Sequence, residues 1–153
     1  MIQRIQTIFL LFAVVFQLSM IFFPIVIYAL PNKEILILTA SGFKTNALLS
    51  EKLFSTAINL VFICAIAIVI FVNIFLFKNR TLQMRICFLS TLLLIGFQLY
   101  IYWFAWDSGQ KLEAITNYKL IIIFPVISAI LTILAYISIK KDDKLVRSLD
   151  RIR

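Results

Sequence analysis

Few residues in this sequence are equipped for chemistry. Asp107, at the end of the run Trp103-Phe104-Ala105-Trp106-Asp107, is the one carboxylate beside an aromatic cluster that can form a pocket, and its chemistry would be general acid–base work. Such work needs a second group at a matched spacing. Only Glu113 and the connecting loops stand nearby, so Asp107 reads as a helix-end or loop charge. Cys64, followed by Ala65 and Ile66, reads as a small apolar residue rather than a nucleophile. Cys64 and Cys87 both fall in apolar runs, away from any oxidising compartment, so no disulfide is expected. The chain has no histidine, which removes a haem axial His, a His-ligated zinc and a histidine proton relay. No catalytic residue, metal site or cofactor is expected, and the chain reads as not an enzyme.

Three amides are the strongest polar groups inside apolar runs: Gln17, Asn59 and Gln98. In hydrocarbon they are expected to face other helices and hydrogen-bond across them, at roughly 0.6 to 2 kcal/mol each. A substrate path would call for charges as well, and Ile5 to Ala29, Phe54 to Phe77, Ile86 to Trp106 and Leu120 to Ile139 contain no Asp, Glu, Lys or Arg. Proton-coupled transport is therefore disfavoured.

The basic residues are concentrated at the end of the chain. Lys140 to Arg153 holds Lys140, Lys141, Lys144, Arg147, Arg151 and Arg153 out of 15 Lys and Arg in total. Leu145, Leu149 and Ile152, with Val146, are spaced as one apolar helix face, against Lys144, Arg147 and Arg151 on the other. Asp143 with Arg147 makes an i, i+4 pair. This predicts a short amphipathic C-terminal helix, either docking a partner or anionic head groups or serving as a solvated extension that sets topology. Nucleic acid is not expected. Asp142, Asp143 and Asp150 cancel half of the tail's charge, and the tail carries no aromatic for base stacking.

The elements that position these residues follow from composition. At 63% hydrophobic, with a mean hydropathy of +1.04, the chain lies outside soluble composition and reads as an all-α membrane protein of one domain, residues 1–153. Apolar runs over about residues 5–29, 54–77, 86–106 and 118–139 are each long enough to cross a hydrocarbon core of about 30 Å. They predict four transmembrane helices arranged as two hairpins, with a tail at 140–153. The first run is too long for a secretory signal and reads as a retained anchor. Pro24 lies near its far end, and Pro125 predicts a kink about two turns into the fourth helix. Ser50-Glu51-Lys52 reads as a helix start. The loop from Pro31 to Lys52 holds Ile35 to Leu38 and Phe43 to Thr45 around Gly42, which predicts a small hairpin or an interfacial helix.

Charge sets orientation. Arg4, Lys78, Arg80, Arg85 and the six basic tail residues lie on one side, and Lys33, Lys44, Lys52, Lys111 and Lys119 on the other. By the positive-inside rule both termini are expected in the cytoplasm of a bacterial inner membrane. Tyr28, Tyr100, Tyr102, Trp103, Trp106 and Tyr118 are expected as an aromatic belt at the opposite boundary.

Three stretches together resemble a known family: MIQRIQTIFLL at the start, KNRTLQMRIC at Lys78 to Cys87, and IKKDDKLVRSLDRIR at the end. The chain resembles a domain-of-unknown-function family of short, four-span inner-membrane proteins from Bacteroidota. The resemblance implies a four-helix membrane protein and carries over no catalytic residue. It singles out Gln3, Arg4, Gln6, Arg80, Gln83, Arg85, Arg147, Asp150 and Arg151 as what the pattern is made of.

The expected function is a non-enzymatic accessory or scaffold subunit of a larger inner-membrane complex. It would contact partners and membrane lipids through an edge formed by Arg4, Lys78, Arg80, Arg85, Lys144, Arg147 and Arg151. The alternative is a small transporter, channel or lipid-handling homo-oligomer built around Gln17, Asn59 and Gln98.

Overall fold

The computed structural model describes residues 3–31, 35–44 and 57–150. Helices α1 (Gln3–Ser19), α2 (Ala57–Phe75), α3 (Arg80–Lys111) and α4 (Phe124–Asp150) pack in a ring, each against the next, with α4 closing on α1. Three helical segments, Ile58–Phe75, Arg80–Lys111 and Leu120–Val146, are long and apolar enough to cross a membrane. The chain is a membrane protein. Its outside agrees, with large apolar side chains such as Leu11, Phe12, Val61, Phe71, Leu92, Leu99 and Ile130 exposed around the bundle.

The first apolar run departs from a single span. Helix α1 stops at Ser19, whose hydroxyl donates to the Phe16 carbonyl at 2.7 Å, and tight turns follow from Ile21 N–H to Leu18 and Phe22 N–H to Ser19. Pro24 has no N–H to continue a helix and disfavours helical geometry at Phe23. The β-branched and aromatic residues beyond it form a strand instead, β1 (Val26–Ala29). The helical part, 17 residues rising about 25 Å, is shorter than the expected span over 5–29.

Strand β1 is the centre of a sheet. It pairs antiparallel with β2 (Ile35–Thr39) on one side and with β4 (Ile115–Tyr118) on the other, while β3 (Gly42–Lys44) pairs with β2, giving the order β3-β2-β1-β4. The hairpin reading of the loop holds, with Thr39 opposite Gly42 and the Thr39 hydroxyl donating to the Gly42 carbonyl at 2.6 Å. An all-α description is therefore corrected. The sheet joins the α1–α2 connection to the α3–α4 connection and caps one end of the bundle, because exposed backbone polar groups near a membrane must find partners.

The third and fourth helices also have different bounds. A 3-10 turn (Leu76–Lys78) and Asn79 are the whole link between α2 and α3, so α3 is longer at both ends than 86–106. Strand β4 and a 3-10 turn (Leu120–Ile123) occupy the expected start of the fourth span. Pro125 is consequently the second residue of α4, where its missing N–H has no partner to lose, and the expected mid-helix kink does not arise. The tail is not a separate helix. α4 continues to Asp150, with Leu145 and Val146 exposed and Asp142 buried, so the expected apolar face of the tail is not the packed one. Ser50-Glu51-Lys52, Arg151 and Ile152 lie outside the described residues.

Helix α3 ends by a local device. The N–H groups of Glu113 and Ala114 donate to the carbonyls of Gln110 and Gly109, and Glu113 takes a left-handed conformation at φ 47°, the position that usually favours glycine. Gly109 sits at a close approach between helix and strand. A Cβ there would collide with the Thr116 hydroxyl of β4 and would lie 3.6 Å from the Tyr28 ring.

Candidate functional site

Each helix buries one stripe, and polar residues bracket the apolar part of it. On α1 the stripe is Gln6, Leu10, Ala13 and Gln17; on α2 it is Asn59, Ile63, Ile66, Ile70 and Asn73. On α3 it includes Gln83, Cys87, Leu94, Gln98 and Ile101, and on α4 it runs through Ser128, Thr132, Ala135 and Ile139 to Asp142. Spacings of three and four place each set on one helix face. Between the polar ends the helices approach through small residues. The Ser128 hydroxyl donates to the Ala13 carbonyl at 3.1 Å, and the Thr91 and Thr132 hydroxyls are 3.0 Å apart.

At the end away from the sheet, the polar residues close on one another. The Gln6 side-chain amide donates to the Asp142 carboxylate, and both residues are buried. Arg80 Nη1 donates to the Asp142 backbone carbonyl at 3.2 Å. Gln83 Nε2 donates to the Asn73 carbonyl at 3.3 Å, and Asn73 Nδ2 donates to Cys87 Sγ at 3.0 Å. Start, middle link and end of the chain are thereby tied together. Gln6, Arg80 and Gln83, singled out above as pattern residues, meet Asp142 and Asn73, which sequence reasoning passed over. Asp142 was legible in one respect, since it continues the α4 stripe three residues beyond Ile139.

Beside this cluster lies a cleft of about 420 Å³, lined by Asn79, Arg80, Thr81, Leu82, Arg85 and Asp143. Asn79 precedes α3 without capping it through its side chain, so the first-turn amides of α3 add positive potential there. Arg85 and Lys144 are exposed, and Asp143 is half-buried. The backbone brings Arg4, Lys78 and Arg147 to the same end, on α1, on the turn after α2 and on α4. The side chain of Arg147, and with it the expected pair with Asp143, lies outside the described residues, as does Arg151.

At the sheet end the second set of amides has a different fate. Gln98 Nε2 donates to the Ile122 carbonyl at 2.9 Å, Phe16 packs edge-on to Phe124 at 5.3 Å, and Phe62 meets Phe97 at 6.3 Å. These contacts put Gln17, Asn59 and Gln98 within about one helical turn of a common depth. All three are buried, yet both polar atoms of Gln17, both of Asn59 and Gln98 Oε1 have no hydrogen-bond partner among the described residues. Among the described residues, Gln98 makes its expected bond and no bond of Gln17 or Asn59 is present.

The acid candidates resolve as surface groups. Asp107 pairs with Lys111 at 2.6 Å along α3, an exposed i, i+4 pair, and Glu113 is the exposed helix stop. Among the described residues no group of three His, Cys, Asp or Glu is placed to hold a metal ion. Tyr28 leaves the expected aromatic belt. It is fully buried under the sheet, donates to the Ala105 carbonyl at 3.0 Å, and burial pushes its phenol up to about 12. Tyr102, Trp103, Trp106 and Tyr118 remain exposed near the sheet, with the Tyr102 and Tyr118 rings 5.9 Å apart.

The sequence matches the family described as a domain of unknown function (DUF4293) over residues 2–152. No curated protein matches it. The match spans nearly the entire chain, and the chain belongs to that family.

Proposed function

We propose that this member of the DUF4293 family is a non-enzymatic accessory or scaffold subunit of a larger complex in the bacterial inner membrane, with both termini in the cytoplasm. Partners would dock on the open, basic end, through Arg4, Lys78, Arg80, Arg85, Lys144, Arg147 and Arg151. The observation that carries this reading is the convergence of Gln6, Arg80 and Asp142 from three distant segments. Those bonds hold the end of the bundle in one shape while Arg85 and Lys144 stay exposed. A surface ordered in advance loses less entropy when a partner binds. The charge bias of the sequence supports the orientation.

The test is purification of the tagged protein, at its natural level and in mild detergent, with mass spectrometry of what accompanies it. A stoichiometric membrane complex is expected, and charge reversal at Arg147 and Arg151 should release it. Recovery of a lone chain, or a complex indifferent to those reversals, would sink the proposal.

A second reading draws on the amides whose hydrogen bonds are incomplete among the described residues. Gln17, Asn59 and Gln98 share one depth inside the bundle, which favours a small transporter, channel or lipid-handling protein with a polar route at that level. Replacing all three with leucine would then abolish flux or lipid handling in vesicles while the fold survives. Activity that persists would place the route elsewhere.

A further inference from the structure

We propose that the cleft between the start of α3 and α4 binds the phosphate of an anionic phospholipid. The inference deepens the reading of the open end as a docking edge, and it concerns lipid rather than protein.

Arg80 and Arg85 face the cleft from the first two turns of α3, and Thr81 and Asn79 add a hydroxyl and an amide. Guanidinium groups match phosphate oxygens in pairs, which makes arginine better suited to this ligand than a point charge. Arg80 is held in place by its bond to the Asp142 carbonyl, and this occupies one of five N–H donors. Asp143 is the one acid on the wall, so with Arg80 and Arg85 the lining keeps an excess of positive charge. The uncapped first turn of α3 adds a further favourable field.

Position selects the lipid form of phosphate. Leu82 lines the same cleft and is 42% exposed, and Phe77 just before it in the chain is 51% exposed. Guanidinium groups and bare apolar side chains therefore adjoin at the edge of the hydrocarbon-facing surface. A phospholipid satisfies both, with its head group in the cleft and its acyl chains along Leu82. A soluble phosphate leaves the apolar side uncovered.

The experiment uses the full chain, delipidated in detergent and mixed with equal amounts of phosphatidylglycerol and phosphatidylcholine, with bound lipid counted by native mass spectrometry. Both lipids carry the phosphate, but the trimethylammonium group of phosphatidylcholine meets the two guanidinium groups with like charge, so phosphatidylglycerol should be retained about tenfold over it. Arg85→Gln should remove most of that preference, and it leaves the Arg80–Asp142 bond in place. Arg80→Gln combined with Arg85→Gln should remove it fully. Lys141→Gln, which deletes one charge from the same end outside the cleft, should keep it. Equal retention of the two lipids, an unaltered preference in Arg85→Gln, or an equal loss in Lys141→Gln would each overturn the assignment. Complete displacement of phosphatidylglycerol by millimolar inorganic phosphate would overturn it too, by showing a site for free anions. Because no protein partner is present, failure here is separable from failure of the scaffold reading.

Discussion

The bundle contains two polar layers made from the same kinds of side chain, and they differ in how far their hydrogen bonds are satisfied. At the open end, Gln6, Asn73, Gln83 and Asp142 give and accept bonds among themselves and with Arg80 and Cys87, and of their buried side-chain atoms Asn73 Oδ1 alone meets no partner among the described residues. At the sheet end, Gln17, Asn59 and Gln98 are equally buried, but five of their polar atoms meet no partner among the described residues. The difference lies in what closes each end. The sheet end is closed by backbone ladders and by Tyr28, so the amides beneath contribute little to closure. Among the described residues the open end has no ladder, and side chains supply the bonds. A polar layer that holds structure should be costly to remove, whereas one that does not should be costly to keep.

Breaking the backbone closure should have the largest effect. Tyr28→Ala empties a fully buried aromatic site between β1 and α3 and is expected to cost about 3 to 5 kcal/mol, read as a lower thermal midpoint in detergent. Asp142→Ala leaves the buried Gln6 amide without its acceptor, at a cost of about 1 to 3 kcal/mol by the same measurement. Asn59→Leu should shift the midpoint the other way, upward by the equivalent of about 1 to 2 kcal/mol, because it removes two buried atoms that have no partner among the described residues. If Asn59→Leu destabilises as much as Asp142→Ala, the contrast between the layers is gone.

Two smaller effects sharpen the picture of the sheet end. Glu113→Gly relieves a left-handed backbone at the stop of α3 and is expected to stabilise by about 1 kcal/mol in thermal unfolding. Tyr28→Phe deletes the bond to Ala105 at a cost of about 1 kcal/mol near neutral pH. The folded pKa of Tyr28, about 12, lies above its ordinary value of 10, so its contribution is whole below pH 10 and fades as pH rises through 12. Unfolding midpoints of the two proteins should therefore converge between pH 10 and 12. A gap that stays constant over that window would show that the phenol is not held neutral by burial.

Much of this was readable along the chain. The bias of Arg80, Arg85 and the tail toward one end follows from charge alone, and so does the placement of Gln17, Asn59 and Gln98 on inward faces, since charge-free apolar runs leave amides nowhere else to go. The buried role of Asp142 was half readable, through its spacing from Ile139. Tyr28 was not readable, because an aromatic near a helix end fits an interface as well as a core.

What the sequence determined by itself is the solvent. Its long charge-free apolar runs require a hydrocarbon surround, whatever the arrangement inside. It also offered the hairpin over Ile35 to Lys44 as one of two local readings, beside an interfacial helix, because the turn and both strands are local in the chain. Tertiary structure alone decided that residues 26–29 form a strand rather than the last turns of a helix. An apolar run satisfies either state, and the choice falls to backbone partners that Val26–Ala29 finds in β2 and in β4, the latter about ninety residues away. The same holds for the two amide layers. Burial was set by helix spacing, but whether each amide is satisfied depended on which helices the sheet and the short α2–α3 turn brought together.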